Sequence, residues 1–252
     1  MLKPIFIALL GLSCLSAALA QPPLRIAAAA DLEPVLPPIL AEFQRATGIR
    51  ADVTYQASAM LTAQIQNDAP FDLFLSADSG YPERLIDAGL ADSPTPLIYA
   101  KGTLVLWTRK DSPLPPPSLD LLRNPGLKTL AIANPDRAPY GHAAVAVLHN
   151  LNLYEALKPR LATAENIGQA AQFVYSGNAQ AGLISLTSAL TPQLASSGAY
   201  FVIPRPLYPP IEQGAVILKR SSQAAAAHRL LNYLLSAPVQ AQLAKSGLTP
   251  VH

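Results

Sequence analysis

The segment LRIAAAADLEPVLPPILAEFQRATG, residues 24–48, divides into two unlike halves. Leu24–Ala30 is a short apolar run, of the length and composition of a buried strand. From Leu32 the apolar residues recur at helical spacing, as Leu32, Val35, Leu36, Ile39, Leu40 and Phe43, until Gly48 stops them. A strand therefore feeds a helix predicted over 32–46, with Pro34 in its first turn. The same alternation follows: strand 50–55, helix 58–67, strand 71–76 and a short helix 82–88 closed by Gly89. Residues 98–109 form an apolar, β-branched stretch around Gly102 that carries the only tryptophan, Trp107. After a proline-rich loop at 113–117 come strand 129–133, helix 141–150, helix 167–176 and a buried strand 181–185. Late strands are predicted at 201–203 and 215–218, with helices at 223–236 and 239–246. Strands alternating with helices imply an α/β fold with mostly parallel sheets, and no fixed-period repeat supports a solenoid.

Two α/β units of about a hundred residues emerge, one on each side of Ala100. If the chain crosses once near 100–102 and returns near 209–214, the C-terminal helices rejoin the first unit and a cleft lies between two lobes. The division expected is residues 21–100 with 212–252 for the first lobe and 101–211 for the second.

The 252 residues are 50% hydrophobic and 13% charged, so disorder and coiled coil are excluded. Eighteen Lys and Arg against sixteen Asp and Glu leave a formal charge of +2, too balanced for a nucleic-acid surface. Met1–Ala20 joins Lys3 to an apolar run at 5–12 and ends in Ala18-Leu19-Ala20, the small-x-small pattern of an export signal, with cleavage expected before Gln21. The run is too short for a spanning helix. Cys14 is the only cysteine; Gly11, three residues before it, disfavours lipid attachment, and the mature chain has no thiol for a disulfide, a metal or nucleophilic catalysis.

In open α/β sheets ligands bind at the carboxyl ends of strands, where helix N-termini point. Asp31 ends the first strand and is predicted to cap the helix after it, Ser58 to cap the next. Pro139-Tyr140-Gly141 opens a helix after Asn134-Pro135, the glycine allowing close backbone approach to a bound group. Asn166 and Gln169 have capping-box spacing ahead of Ile167. Each terminus offers unpaired N–H groups and partial positive charge, which favour anions. Several aimed at one point would hold an anion without Arg or Lys; if they do not converge, they are ordinary caps.

The phosphate loop, dinucleotide turn, zinc helix and nucleophile elbow are all missing. His142 and His149, seven apart on one predicted helix, are read as exposed residues rather than metal ligands. Asp72 and Asp78, flanking Leu73-Phe74-Leu75, are assigned turn and capping roles rather than paired-acid catalysis.

Taken together and in order, Ala27–Leu32, Ala69–Asp78, Asn134-Pro135-Asp136 with Pro139-Tyr140-Gly141, Glu165-Asn166-Ile167 and Tyr208-Pro209-Pro210-Ile211 carry a specific likeness. From Leu24 onward the chain resembles the periplasmic molybdate-binding proteins of ABC transporters. The resemblance implies a type II periplasmic binding fold, in which two α/β lobes close on a tetrahedral oxyanion, molybdate or tungstate. It implies contacts from Ala30 and Asp31, Ser58, Tyr140, the Ile167 backbone and Ser185, with no cofactor and no metal cation bound directly. Known members carry Ser where Asp31 stands and Tyr where Ser185 stands, and some carry Ala where Tyr140 stands. Because a carboxylate repels a dianion, Asp31 is expected to turn its side chain inward as a cap and to offer only its N–H.

The function implied is capture of molybdate in the periplasm by a monomer and its delivery to a membrane permease, with no enzymatic step and no nucleic-acid partner. The alternatives are a periplasmic enzyme acting on a small anion, for instance through His142 and Ser185, and a binder of another oxyanion or a small carboxylate. A carboxylate binder commonly uses an arginine fork; Arg137 is the nearest arginine to a predicted junction.

Overall fold

A computed structural model describes residues 22–251; the export signal expected at 1–20 lies outside the described residues. The chain runs β1 (Leu24–Ala29), a 3-10 turn (Ala30–Leu32), α1 (Leu36–Thr47), β2 (Ala51–Gln56), α2 (Ser58–Gln66), β3 (Leu73–Leu75), α3 (Gly80–Asp87) and β4 (Leu97–Gly102). It continues through β5 (Leu104–Arg109), β6 (Leu130–Ala133), α4 (Pro139–Asn150), α5 (Tyr154–Leu157), β7 (Leu161–Ala164), α6 (Ile167–Tyr175), β8 (Ala181–Ser185), α7 (Leu186–Ala189), α8 (Pro192–Ser197) and β9 (Gly198–Val202). It ends with β10 (Ile211–Ile217), α9 (Ala224–Leu234) and α10 (Ala237–Lys245).

The strands form two five-stranded sheets, ordered β2-β1-β3-β10-β4 and β7-β6-β8-β5-β9. Both are mixed, not mostly parallel. β1 is parallel to β2 and β3, and β6 to β7 and β8, whereas β10 and β5 run antiparallel to both their neighbours. The departure has a topological cause. The antiparallel strand of each sheet adjoins a passage between the sheets, so it enters from the opposite end to the strand-helix units.

Residues 98–109, read as one apolar stretch, are two strands in different sheets. The break falls at Thr103, and the first sheet keeps Lys101 and Gly102, both paired with β10. Gly102 is required there: a β-carbon would overlap the hydroxyl of Tyr140 and the side chain of Ile211. The second passage, 203–210, is tied to the first, since the Leu104 N–H donates to the Tyr208 hydroxyl at 3.2 Å.

Alternation along β1 explains how the first sheet is covered. Leu24, Ile26 and Ala28 join Leu36, Ile39 and Phe43 of α1 and Leu230, Leu234 and Leu243 of the C-terminal helices in one buried cluster. Ala27 points the other way, with Phe74 and Val216, onto Leu61, Ile65 and Leu85 of α2 and α3. Each fully buried Leu, Ile or Phe contributes about 1.5–3 kcal/mol. In the second sheet Trp107 is fully buried on β5, its ring filling the space that a side chain at Gly198 would need. α1 ends at Gly48 (φ 75°), whose N–H reaches the Gln44 carbonyl, as the sequence predicts. Among the described residues no helix is long and apolar enough to cross a membrane.

Candidate functional site

The loops after the parallel strands of the two sheets meet across a small cavity. From the first sheet it is walled by Ala29, Ala30 and Asp31 after β1, by Gln56, Ala57 and Ser58 after β2, and by Ala77 after β3. From the second come Ala138, Pro139 and Tyr140 at the start of α4, and Asn166 and Ile167 at the start of α6. Its free space is about 10 Å³, the room one water requires. Thus Ala30, Asp31, Ser58, Tyr140 and Ile167 are brought together although they span 137 positions of the chain, and all five are buried. No Lys, Arg or His belongs to the wall.

Three helices, α2, α4 and α6, begin at this wall. The first N–H groups of a helix have no partner within it, so these starts supply donors and partial positive charge to the space between them. The caps differ in detail from the sequence reading. Ala57, not Ser58, is the cap of α2, and Ser58 is its first residue. The Ser58 hydroxyl accepts from the Ala77 N–H at 3.2 Å, which leaves its own proton available to donate. The Asn166 side chain does cap α6, accepting from the Gln169 N–H at 2.9 Å. The reciprocal bond runs from the Glu165 N–H to Gln169 Oε1 at 2.7 Å, one residue earlier than a strict capping box.

Gly141 also serves another purpose than expected. A β-carbon there would fall onto the carbonyl oxygens of Ala133 and Asn134, so the glycine lets α4 start hard against the end of β6. The close approach is to the chain's own backbone.

Asp31 is not a helix cap. It sits in the 3-10 turn, α1 starts five residues later with Val35 as its cap, and Pro34 precedes the helix. The side chain does turn inward and is fully buried. Its Oδ2 accepts from Gln213 Nε2 at 2.6 Å and from the Tyr140 hydroxyl at 3.1 Å. Its Oδ1 has no hydrogen-bond partner. Gln213 in turn accepts from the Tyr99 hydroxyl at 3.0 Å. A buried polar chain thus links β4, β10 and the turn after β1 in the first lobe to α4 of the second. Burial pushes the Asp31 carboxyl up to about 6, against the opposing pull of the Gln213 and Tyr140 hydrogen bonds. Burial and then the Asp31 charge push both Tyr99 and Tyr140 well above the usual phenol range.

Ser185 stands apart from this wall. Its hydroxyl caps α7, accepting from the Ser188 N–H at 3.2 Å and from Thr187 Oγ1, and donating to Ser188 Oγ, both at 2.9 Å. Donor and acceptor capacity are both used locally. Arg137 is likewise outside the wall, paired with Glu165 at 2.7 Å on the surface. Asp72 accepts from the Arg25 N–H and the Ser221 hydroxyl, and Asp78 from the Tyr81 N–H and the Ser76 hydroxyl, as turn and cap residues do. His149 stacks on Tyr154. Among the described residues no three His, Cys, Asp or Glu side chains gather as a metal site would require.

Sequence reasoning missed Gln213 and Ala77. Gln213 lies 182 positions from Asp31, within a stretch read as loop before the last strand. The signal available was a lone amide next to an apolar strand, which has no local meaning.

The chain matches, over residues 24–249, the family described as bacterial extracellular solute-binding protein. It is 37% identical over 225 residues to the molybdate-binding protein ModA of Azotobacter vinelandii, covering 89% of each chain. Identity to the ModA of Rhodobacter capsulatus is 35% over 192 residues, 76% of this chain and 74% of that one. The solved periplasmic molybdate-binding protein of Azotobacter vinelandii superposes with a TM-score of 0.85 at 30% identity, covering 91% of this chain and 100% of the other. A substrate-binding domain assigned to a molybdenum ABC transporter of Clostridium difficile gives 0.70 at 28% identity, covering 91% and 99%.

Proposed function

Because the chain belongs to the bacterial extracellular solute-binding family, and within it to the molybdate-binding proteins, we propose that it captures molybdate for an ABC transporter. It is a binding protein and not an enzyme. The observation that supports this reading best is the cavity between the sheets, walled by three helix N-termini and the turn after β1, and lacking any basic side chain. An ion held there is held by N–H and hydroxyl donors. Hydrogen bonds to a charged partner contribute roughly 1.5–3 kcal/mol each, so about five offset an association cost of several kcal/mol and leave micromolar or tighter binding.

The ion is held, on this reading, through backbone N–H groups at Ala30, Asp31 and Ile167, through the Ser58 hydroxyl and N–H, and through Tyr140. Ser185 is left to its cap. The lobes are taken as 21–102 with 211–252, and 104–202, shifted from the expected bounds at 100 and 211 because Lys101 and Gly102 pair with β10 from Ile211 onward, and they swing about the two passages at Thr103 and 203–210. Space for one water must widen to admit four oxygens, so the Tyr140–Asp31 bond that crosses the cleft gives way as the ion enters. The protein acts as a periplasmic monomer after removal of residues 1–20 and hands its cargo to a membrane permease. Tungstate, equal to molybdate in charge and shape, binds as well; sulfate, equal in charge but smaller, binds less well because it cannot reach donors on both lobes at once.

Thermal unfolding of the mature chain tests this. Ligand at a hundred times its dissociation constant stabilises by about 2.7 kcal/mol, a rise in Tm of roughly 5–10 °C for a chain of this size. Molybdate and tungstate should give it, and sulfate and phosphate should not. A Tm unmoved by molybdate, or moved equally by all four anions, overturns the proposal.

A further inference from the structure

The wall of the cavity contains one group that does not suit a dianion. Every other polar group there can donate, but Asp31 brings an acceptor carboxylate into a wall with no cation to balance it. Its Oδ2 is committed to Gln213 and Tyr140. Oδ1 is buried and unpartnered, and a buried polar atom without a partner is rare and costly. The groups facing Asp31 are Tyr140 from α4 and Gln213 from β10, with Tyr99 of β4 behind Gln213. All three are uncharged near neutral pH, and no basic group lies among them.

We propose that Asp31 takes up one proton as the oxyanion enters, and that its Oδ1–H then donates to the ion. The inference rests on the oxyanion reading above and adds a coupling to it. The proton comes from the solvent. The carboxylate becomes a neutral acid, molybdate stays fully deprotonated, and the charge enclosed by the closing lobes is that of the ion alone. Oδ2 keeps its Gln213 donor while the Tyr140 hydroxyl is released to the ion, and the orphaned Oδ1 gains a partner. The environment already prepares the step: burial holds the unliganded carboxyl at about 6, and an adjacent dianion raises it further.

By linkage, affinity is then flat below pH 6 and falls about tenfold per pH unit above it, until the pH reaches the value for the loaded state. Calorimetric titration of the wild-type protein with sodium molybdate at pH 7, in Tris and in PIPES buffers, reads the proton directly. The two apparent enthalpies should differ by the difference in buffer ionisation enthalpies multiplied by about 0.9, the fraction of Asp31 still ionised at pH 7 for a carboxyl at about 6. Asp31→Asn places an amide donor where the acid would stand: the enthalpies should become equal, and the dissociation constant, which in wild type rises by tens of fold from pH 6 to pH 8, should stay within about threefold. Wild-type binding with equal enthalpies in both buffers overturns the inference and leaves the oxyanion reading intact. So does proton uptake that persists in Asp31→Asn. An absence of molybdate binding at any pH from 6 to 8 overturns both.

Discussion

The two lobes are built to one plan and furnished differently. β1, β2 and β3 correspond in sheet order to β6, β7 and β8, and each sheet then takes an antiparallel strand, β10 or β5, before its outer strand. The first two junctions of each lobe reach the cavity: Asp31 and Ser58 from one, Tyr140 and Ile167 from the other. The third junctions part company. Ala77 after β3 lines the cavity and donates to Ser58, whereas Ser185 after β8 turns its hydroxyl onto Ser188 and Thr187. The first junctions differ more deeply, for one presents a buried carboxylate and the other the phenol that meets it. The backbone plan therefore says where a site forms, and single side chains at its junctions say what each lobe contributes.

The largest expected effect comes from the asymmetric pair at the first junctions. The Asp31 carboxyl is held at about 6 against an ordinary value of 3.8. A raised folded-state value means stability that is present below about pH 4 and lost as pH rises through 6. At pH 7 the ionised group in the unliganded protein costs up to about 3 kcal/mol, at 1.36 kcal/mol per unit. D31N removes that cost. Its unliganded Tm should exceed that of wild type by up to roughly 10 °C at pH 7, at about 2–4 °C per kcal/mol, with the gap closing toward pH 4. A pH-independent gap would mean that Asp31 is not the titrating group.

The matching perturbation in the second lobe is Gly141→Ala. Its methyl would press on the Ala133 and Asn134 carbonyls, backbone atoms that cannot swing aside, at a cost of about 2 kcal/mol. Because the strain displaces the start of α4, molybdate affinity should fall along with Tm. A variant with full stability and full affinity would show that α4 has room to shift without disturbing the site.

How much of this is visible in the sequence depends on the range of the interaction concerned. Helices with a local stop are: Gly48 ends α1 by adopting a conformation that glycine favours. The break at Thr103 is not, because Leu97–Gly102 and Leu104–Arg109 are equally strand-like and only their partners differ. β7 (Leu161–Ala164) escapes notice because it is a four-residue strand with only one buried residue and no alternation. The mixed sheets are hidden for the same reason as Thr103, since strand direction follows from where the chain re-enters a sheet. In the site, the junction residues are legible from strand-to-helix transitions, but not their side-chain roles. Asp31 followed by Pro34 has the signature of a cap, and only a glutamine 182 positions away reveals otherwise.

At the second junction of the first lobe, Ser58→Ala tests whether the hydroxyl reaches the ion or merely ties α2 to Ala77. Losing a hydrogen bond to a charged ligand costs about 1.5 kcal/mol or more, so molybdate should bind roughly tenfold more weakly by calorimetry. The lost acceptor for the Ala77 N–H should appear separately, as a small drop in Tm without ligand. An affinity unchanged within twofold would assign Ser58 to that structural bond alone.

The smallest effect is expected at the junction where the lobes diverge. Ser185→Ala deletes a cap whose bonds all stay within 185–188, and removing an N-cap serine costs about 1 kcal/mol. The unliganded Tm should fall by roughly 2–4 °C, while the dissociation constant for molybdate stays within twofold of wild type. Since Ser185 also pairs with Leu104 at the first passage between the sheets, a change there could reach the ion only by altering how the lobes close. A tenfold loss of affinity on Ser185→Ala, with Tm unaltered, would return the third junction of the second lobe to the site and make the two lobes equivalent in function as well as in plan.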